Sequence, residues 1–94
     1  MVTMINRLTL TGDEGRFEKA LDNVCAHMMS RPGFVGLRLH RSLRRPGQWV
    51  MVAQWTDAAS HRAAATGPVV EPLLARLRAE ALTEPDVYET VREA

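Results

Sequence analysis

Strand-type and helix-type periodicities follow one another along this 94-residue chain in the order β, α, β, β, α, β, which predicts an α+β domain built on one four-stranded antiparallel sheet. Two further observations agree. A Pro-Gly turn between the second and third strands makes a hairpin of them, and the third strand is apolar on both faces, so both surfaces of the sheet are covered. A chain of 94 residues has room for one compact unit, and residues 1–94 are read as a single domain.

In the first strand Val2, Met4, Asn6, Leu8 and Leu10 fall on one face, and Thr3, Ile5, Arg7 and Thr9 on the other. Asn6 is the polar exception on the apolar face. Thr11, Gly12 and Asp13 then supply turn and N-cap chemistry. Phe17, Leu21, Val24, Cys25 and Met28 follow at spacings of three and four, which draws one apolar stripe along a helix. That helix stops near Ser30 or Arg31, because Pro32 disfavours helical geometry in the residue before it and Gly33 frees the backbone to reverse.

Phe34 to Ser42 alternates again, with Val35, Leu37 and Leu39 on one side and Phe34, Gly36, Arg38 and His40 on the other. Arg45-Pro46-Gly47-Gln48 suits a type II turn, since Gly47 takes the positive φ needed there. The third strand, Trp49 to Trp55, is almost continuously apolar. Asp57 caps a short helix running to Ala65, which Gly67-Pro68 ends. A second helical stretch presents Val70, Leu73, Leu74, Leu77 and Ala81 on one side, with Arg76, Arg78 and Glu80 elsewhere and Pro72 in its first turn. Pro85 then sets off a last strand, Asp86 to Val91. The result is the ferredoxin-like arrangement, with helices on one sheet face and the other face bare. That bare face most simply meets its counterpart in a second copy, giving a homodimer in the form of a two-chain barrel.

Twelve basic and eleven acidic side chains leave a net charge of +1, too balanced for counterion-driven binding to nucleic acid or to an anionic membrane. Lys19 is the sole Lys, a bias that fits genome composition in an Ala-rich chain. The single Cys25 forms no internal disulfide and fits a reducing compartment. No basic region precedes an apolar run at the N-terminus, and no segment approaches 18 consecutive apolar residues, so the expected setting is cytoplasmic and away from membranes.

Signatures of nucleotide, metal and Ser-hydrolase sites are absent, and the three His show no ligand spacing, so no metal is expected. What remains are polar side chains where periodicity predicts burial. Asn6 would bring two donors and one acceptor into the space between sheet and helices, there to hold a substrate oxygen or to satisfy nearby backbone groups. His61 is an imidazole suited to taking a proton from an acidic phenol or ketone, or a half-exposed surface residue. Arg38 and His40 face either the helices or the dimer partner; Arg38 would pair with an enolate or carboxylate, or bond across the dimer. His27 sits at the boundary of its helix's apolar stripe, where side chains are usually solvated. For Tyr88 the sequence offers no decision among core, interface and acid. Trp49, Met51, Ala53 and Trp55 share a face that would line a flat polycyclic ligand or form an ordinary core.

Together Ile5-Asn6-Arg7, Arg31-Pro32-Gly33-Phe34-Val35-Gly36, Val52-Ala53-Gln54-Trp55 and the broken second helix resemble the antibiotic biosynthesis monooxygenase family of dimeric α+β barrels, over nearly the whole chain. The haem-degrading branch resembles the chain in Asn6. Ala64 and Leu74 stand where that branch carries a Trp and a haem-ligating His. The branch acting on small aromatics and polyketides, which works without metal or flavin, matches in Trp55; His61 replaces an aromatic Tyr, Met51 replaces an Asn, and Arg76 lies near the branch's helical Arg. The resemblance implies a monooxygenase that oxidises a polycyclic anthrone or phenol to a quinone in polyketide or antibiotic biosynthesis, with O2 as co-substrate and no cofactor. It gives His61 the proton, Asn6 and Arg76 the oxyanion, and Trp55 the pocket wall, with Met51 and Arg38 completing the binding set. The alternative is a polyketide cyclase or a non-oxidative auxiliary binding protein of the same fold.

Overall fold

A computed structural model describes residues 1–94. The elements are β1 (Val2–Leu10), α1 (Glu14–Met29), β2 (Phe34–Arg41), β3 (Gln48–Trp55), α2 (Ala58–Ala64), α3 (Val70–Glu80) and β4 (Ala81–Glu89). The strands form one antiparallel sheet in the order β2-β3-β1-β4.

Local chemistry fixes the boundaries. Asp13 caps α1, its side chain accepting the Arg16 N–H at 2.8 Å, and Asp57 caps α2 through the Ser60 N–H at 2.7 Å. At the hairpin Gly47 takes φ 79°, and the Gln48 N–H closes the turn on the Arg45 carbonyl. Helices α1, α2 and α3 all lie on one side of the sheet, against Met4 and Leu8 of β1 and Trp49, Met51, Ala53 and Trp55 of β3. Phe17 and Leu21 of α1 and Leu77 of α3 are completely covered there, each worth about 1.5–3 kcal/mol of apolar burial. The rings of Phe17 and Trp49 meet at 5.4 Å. Nothing in the chain covers the opposite face, where Ile5, Val50 and Val52 are only half-buried.

Three expectations need correction. The last strand begins at Ala81 rather than Asp86, directly from the end of α3, and stops at Glu89 rather than Val91. Pro85 lies inside it, which is tolerable because β4 is an edge strand where a missing N–H interrupts no second ladder. In β2 the pairing passes from Phe34↔Trp55 to Gly36↔Gln54, so a bulge at Val35 shifts the alternation. Phe34 consequently packs on Trp55 under the helices, while Gly36, Arg38 and His40 lie on the bare face. Glu80, placed off the apolar side by its helical position, is only 8% exposed. Its carboxylate accepts the Asp13 N–H at 3.2 Å and pairs with Arg16 Nε at 3.1 Å. No helix is long and apolar enough to cross a membrane.

Candidate active site

Between sheet and helices lies a cavity of about 260 Å³. Its floor is Met4 and Asn6 of β1, Met51 of β3 and Thr83 and Pro85 of β4. Val24 and Met28 of α1 form one wall; Leu74 and Leu77 of α3, with His61 and Ala65, form the other. Glu71 and Arg78 lie at the rim, joined by an ion pair of 3.6 Å with both side chains more than half exposed.

Asn6 is directed inward by the alternation of β1 and is 8% exposed. Its Oδ1 accepts the backbone N–H of Glu84 at 3.1 Å. Of the two roles open to it from the sequence, the backbone one is seen: the oxygen satisfies the Glu84 N–H, while the nitrogen has no acceptor in the protein and leaves two N–H donors at the cavity floor.

His61 occupies the last full turn of α2 and meets Trp55 edge-on, with ring centroids 5.6 Å apart. It is half-buried, and that burial lowers its pKa below the ordinary 6.5, so the ring is neutral at pH 7 and able to accept a proton. Two ties hold α2 in place. The Thr56 N–H donates to the Gly33 carbonyl at 2.9 Å, and His27 Nε2 lies 3.1 Å from the Ala64 carbonyl at the end of α2. His27 is thus half-buried and hydrogen-bonded rather than solvated, a contact between residues 37 apart that helical periodicity could not reveal.

The remaining expected site residues divide. Met51 lines the floor, its sulfur 3.8 Å from Cys25 Sγ. Trp55 is fully buried between Phe34 and His61, so it backs the catalytic candidate instead of lining the cavity itself. Its indole N–H has no partner. Arg76 lies outside, in a groove between α1 and α3 with Arg16, Lys19 and Asn23. Arg78, two residues and about 200° further round the helix, is the guanidinium that reaches the cavity. The spacing Glu71, Leu74, Arg78 carried that signal, being three and four residues along one helical face. Arg38 is on the bare sheet face beside Val52 and Gln54, with the sheet between it and the cavity. His40 and Tyr88 share that face.

Amide and guanidinium donors and a neutral imidazole thus share a space lined otherwise by apolar side chains and Thr83, with the Glu71 carboxylate at the rim. Such a set can hold a phenolate or enolate oxygen and take a proton from its precursor. Ala64 and Leu74 offer no axial ligand to haem, and no three His, Cys, Asp or Glu side chains come together as a metal-binding group.

The sequence model described as antibiotic biosynthesis monooxygenase matches residues 1–71. The chain belongs to the antibiotic biosynthesis monooxygenase family. Among curated relatives of this monooxygenase, the deoxynogalonate monooxygenase of Streptomyces nogalater is 32% identical over 87 residues, covering 93% of this chain and 74% of that protein. The crystal structure of SnoaB, a cofactor-independent oxygenase from Streptomyces nogalater, superposes with a TM-score of 0.91 at 32% identity, over 99% of this chain and 94% of that one. A structure from Caulobacter crescentus shares the fold at a TM-score of 0.84 and 14% identity, over 97% of this chain and 90% of that one. The ferredoxin-like α+β architecture expected from the sequence is the fold of these relatives.

Proposed function

We propose that this monooxygenase oxidises a polycyclic aromatic of the anthrone or phenol type to a quinone in polyketide biosynthesis, with O2 as co-substrate and no bound cofactor. The observation that carries the reading is the pairing, in one apolar cavity, of the free Asn6 amide nitrogen with the neutral His61 ring. The name of the curated relative and the cofactor-independence of the solved one support it.

An anthrone has a C–H acidic enough for an imidazole to remove once the resulting oxyanion is held by N–H donors. His61 takes that proton, and the negative oxygen rests on the Asn6 amide, with Arg78 supplying charge from the rim. The electron-rich anion passes one electron to O2. Superoxide and the carbon radical then combine, and the new C–O–O⁻ group takes up a proton to become a hydroperoxide. Loss of the second C–H proton and of hydroxide, together one water, leaves the quinone. One CH2 and one O2 become one C=O and one H2O, so no external reductant is required. The protein's part is to bind the rings, favour the anion and exclude bulk water. Arg76 and Arg38 take no part in this step; Trp55 acts by fixing the ring plane of His61.

The enzyme is a homodimer joined through the bare sheet face, and it works in the cytoplasm with Cys25 as a free thiol. The test is oxygen uptake by purified enzyme with an anthrone, in chelator-treated buffer without added flavin or metal. One O2 consumed per quinone formed, with strong losses in Asn6→Ala and His61→Phe, is the expected result. Ring closure of a polyketide substrate without oxygen uptake would instead make the chain a cyclase.

A further inference from the structure

Thr83 reaches the cavity because β4 starts at Ala81, and it carries the one hydroxyl among the lining side chains. The register sets it opposite Leu8, one inward position along β4 from the Asn6↔Pro85 pair, with Glu84 between them turned to the other face. Asn6 and Thr83 are therefore diagonal neighbours, a relationship in which the two backbones stand about 7–8 Å apart and the side chains converge. Asn6 also leans toward Thr83. Its Oδ1 accepts the Glu84 N–H at 3.1 Å, and that N–H belongs to the peptide unit joining Thr83 to Glu84, so the amide head rests beside the Thr83 backbone. Thr83 is half-buried, and its Oγ1 donates to no atom of the chain. Two donors without acceptors thus stand side by side on the cavity floor, where an unmade hydrogen bond is costly.

We propose that Thr83 is a second donor to the substrate oxyanion, its O–H and one Asn6 N–H meeting on a single oxygen. The inference rests on the oxidation proposed above and adds a catalytic residue to it. A negative oxygen has lone pairs for both donors and bonds each more strongly than a neutral phenol or ketone does, so the pair favours the ionised substrate over its precursor. The hydroxyl does this from the floor of the cavity, out of reach of the solvent that weakens the more exposed Arg78 at the rim.

Two readouts on the full chain test it. Thr83→Val removes the hydroxyl at nearly constant shape and keeps a β-branched residue in the strand, so the fold survives, as circular dichroism would register. In oxygen uptake with anthrone the Val variant is expected to lose about 10²-fold in kcat with KM within about threefold of the parent, and Thr83→Ser to recover most of the loss. A loss as large in Ser as in Val would mean that shape, not the hydroxyl, matters. The second readout needs no turnover. Alizarin, a hydroxyanthraquinone whose colour reports its ionisation, is titrated free and bound. Binding to the parent is expected to lower its first phenol pKa by about one unit or more, and Thr83→Val to return about half of that shift. His61, Glu71 and Arg78 face the same cavity in parent and variant alike, so the difference belongs to the hydroxyl. An alizarin pKa equal in the free and parent-bound dye would sink the oxyanion site of Asn6 and Thr83 together. A pKa lowered by the parent, raised again by Asn6→Ala and unmoved by Thr83→Val would remove Thr83 and leave the proposed oxidation standing.

Discussion

Asn6 and Glu84 are joined across β1 and β4 by a hydrogen bond 3.1 Å long, from the Glu84 backbone N–H to the Asn6 side-chain oxygen. The bond fixes the oxygen end of the amide to the fold and leaves the nitrogen free at the cavity floor, where the proposed mechanism places the substrate oxyanion. Asn6→Ala is expected to lower turnover by about 10²–10³-fold, as loss of one oxyanion donor does. It also costs about 1–3 kcal/mol of stability by leaving the Glu84 N–H unpaired. Asn6→Asp restores the acceptor but no donor, so its turnover stays as low as that of the Ala variant. Oxygen consumption far below the melting temperature separates the two effects, and full activity in Asn6→Asp would overturn the assigned polarity.

Gly33 connects α1 to β2 at φ 86°, and a Cβ there would overlap the Ser60 side chain and crowd Thr56 Oγ1. Gly33→Ala therefore combines left-handed backbone strain with displacement of the residue next to His61. Together these cost about 2–4 kcal/mol. Urea unfolding should show the loss, and activity should fall along with it because α2 shifts; a stability within 0.5 kcal/mol of the parent would contradict this account.

The Arg16 guanidinium bonded to Glu80, with the Asp13 N–H as second donor, holds the Glu80 carboxyl below its ordinary 4.5. A carboxylate whose folded pKa is depressed adds stability that is complete above the unfolded value and disappears as pH falls through the folded one. Glu80→Gln should lower the melting temperature at pH 7, with the gap to the parent closing as the pH drops below about 4.5. Parallel melting curves from pH 3 to pH 7 check both the sign and the window.

The features legible in the sequence were those whose causes are local. Asp13 and Asp57 as caps, Gly47 in its turn and Gly67-Pro68 as a break each follow from side chains within a few residues, and the inward direction of Asn6 follows from strand alternation alone. The early start of β4 was hidden because a proline signals exclusion from a strand until the strand is known to be an edge. The bulge at Val35 adds one residue and reverses which side Phe34 shares, a slip that periodicity absorbs without trace. That Arg38 faces away from the cavity depended on which sheet face the helices cover. The His27–Ala64 contact joins distant segments and left no sequence signal at all.

Two arginines on α3 give a paired control, since Arg78 reaches the cavity rim and Arg76 lies in the outer groove. Arg78→Ala should raise KM for an anionic aromatic by about twofold to fivefold, a modest effect because the side chain is more than half exposed and shares its charge with Glu71. Arg76→Ala should leave both kcat and KM unchanged. Steady-state kinetics on the two variants reads the difference directly, and an effect confined to Arg76 would reverse the assignment.

In the proposed mechanism the pH dependence of the reaction follows from the environment of His61. Burial against Trp55 and the helices disfavours the imidazolium, so the folded pKa lies below 6.5 and the ring is a competent base across the neutral range. The acid limb of kcat/KM should accordingly fall below pH 6.5, in the range where a solvent-exposed imidazole would already be protonated. Stability carries the same sign. Between the folded and unfolded pKa values the unfolded chain binds the extra proton, so stability is complete above 6.5 and declines as pH falls through the folded value. His61→Phe keeps an aromatic ring against Trp55 while removing the base. It should cut turnover by about 10²–10⁴-fold and abolish the acid limb, with the fold intact by circular dichroism. Persistence of that limb in the Phe variant would mean that another group takes the proton.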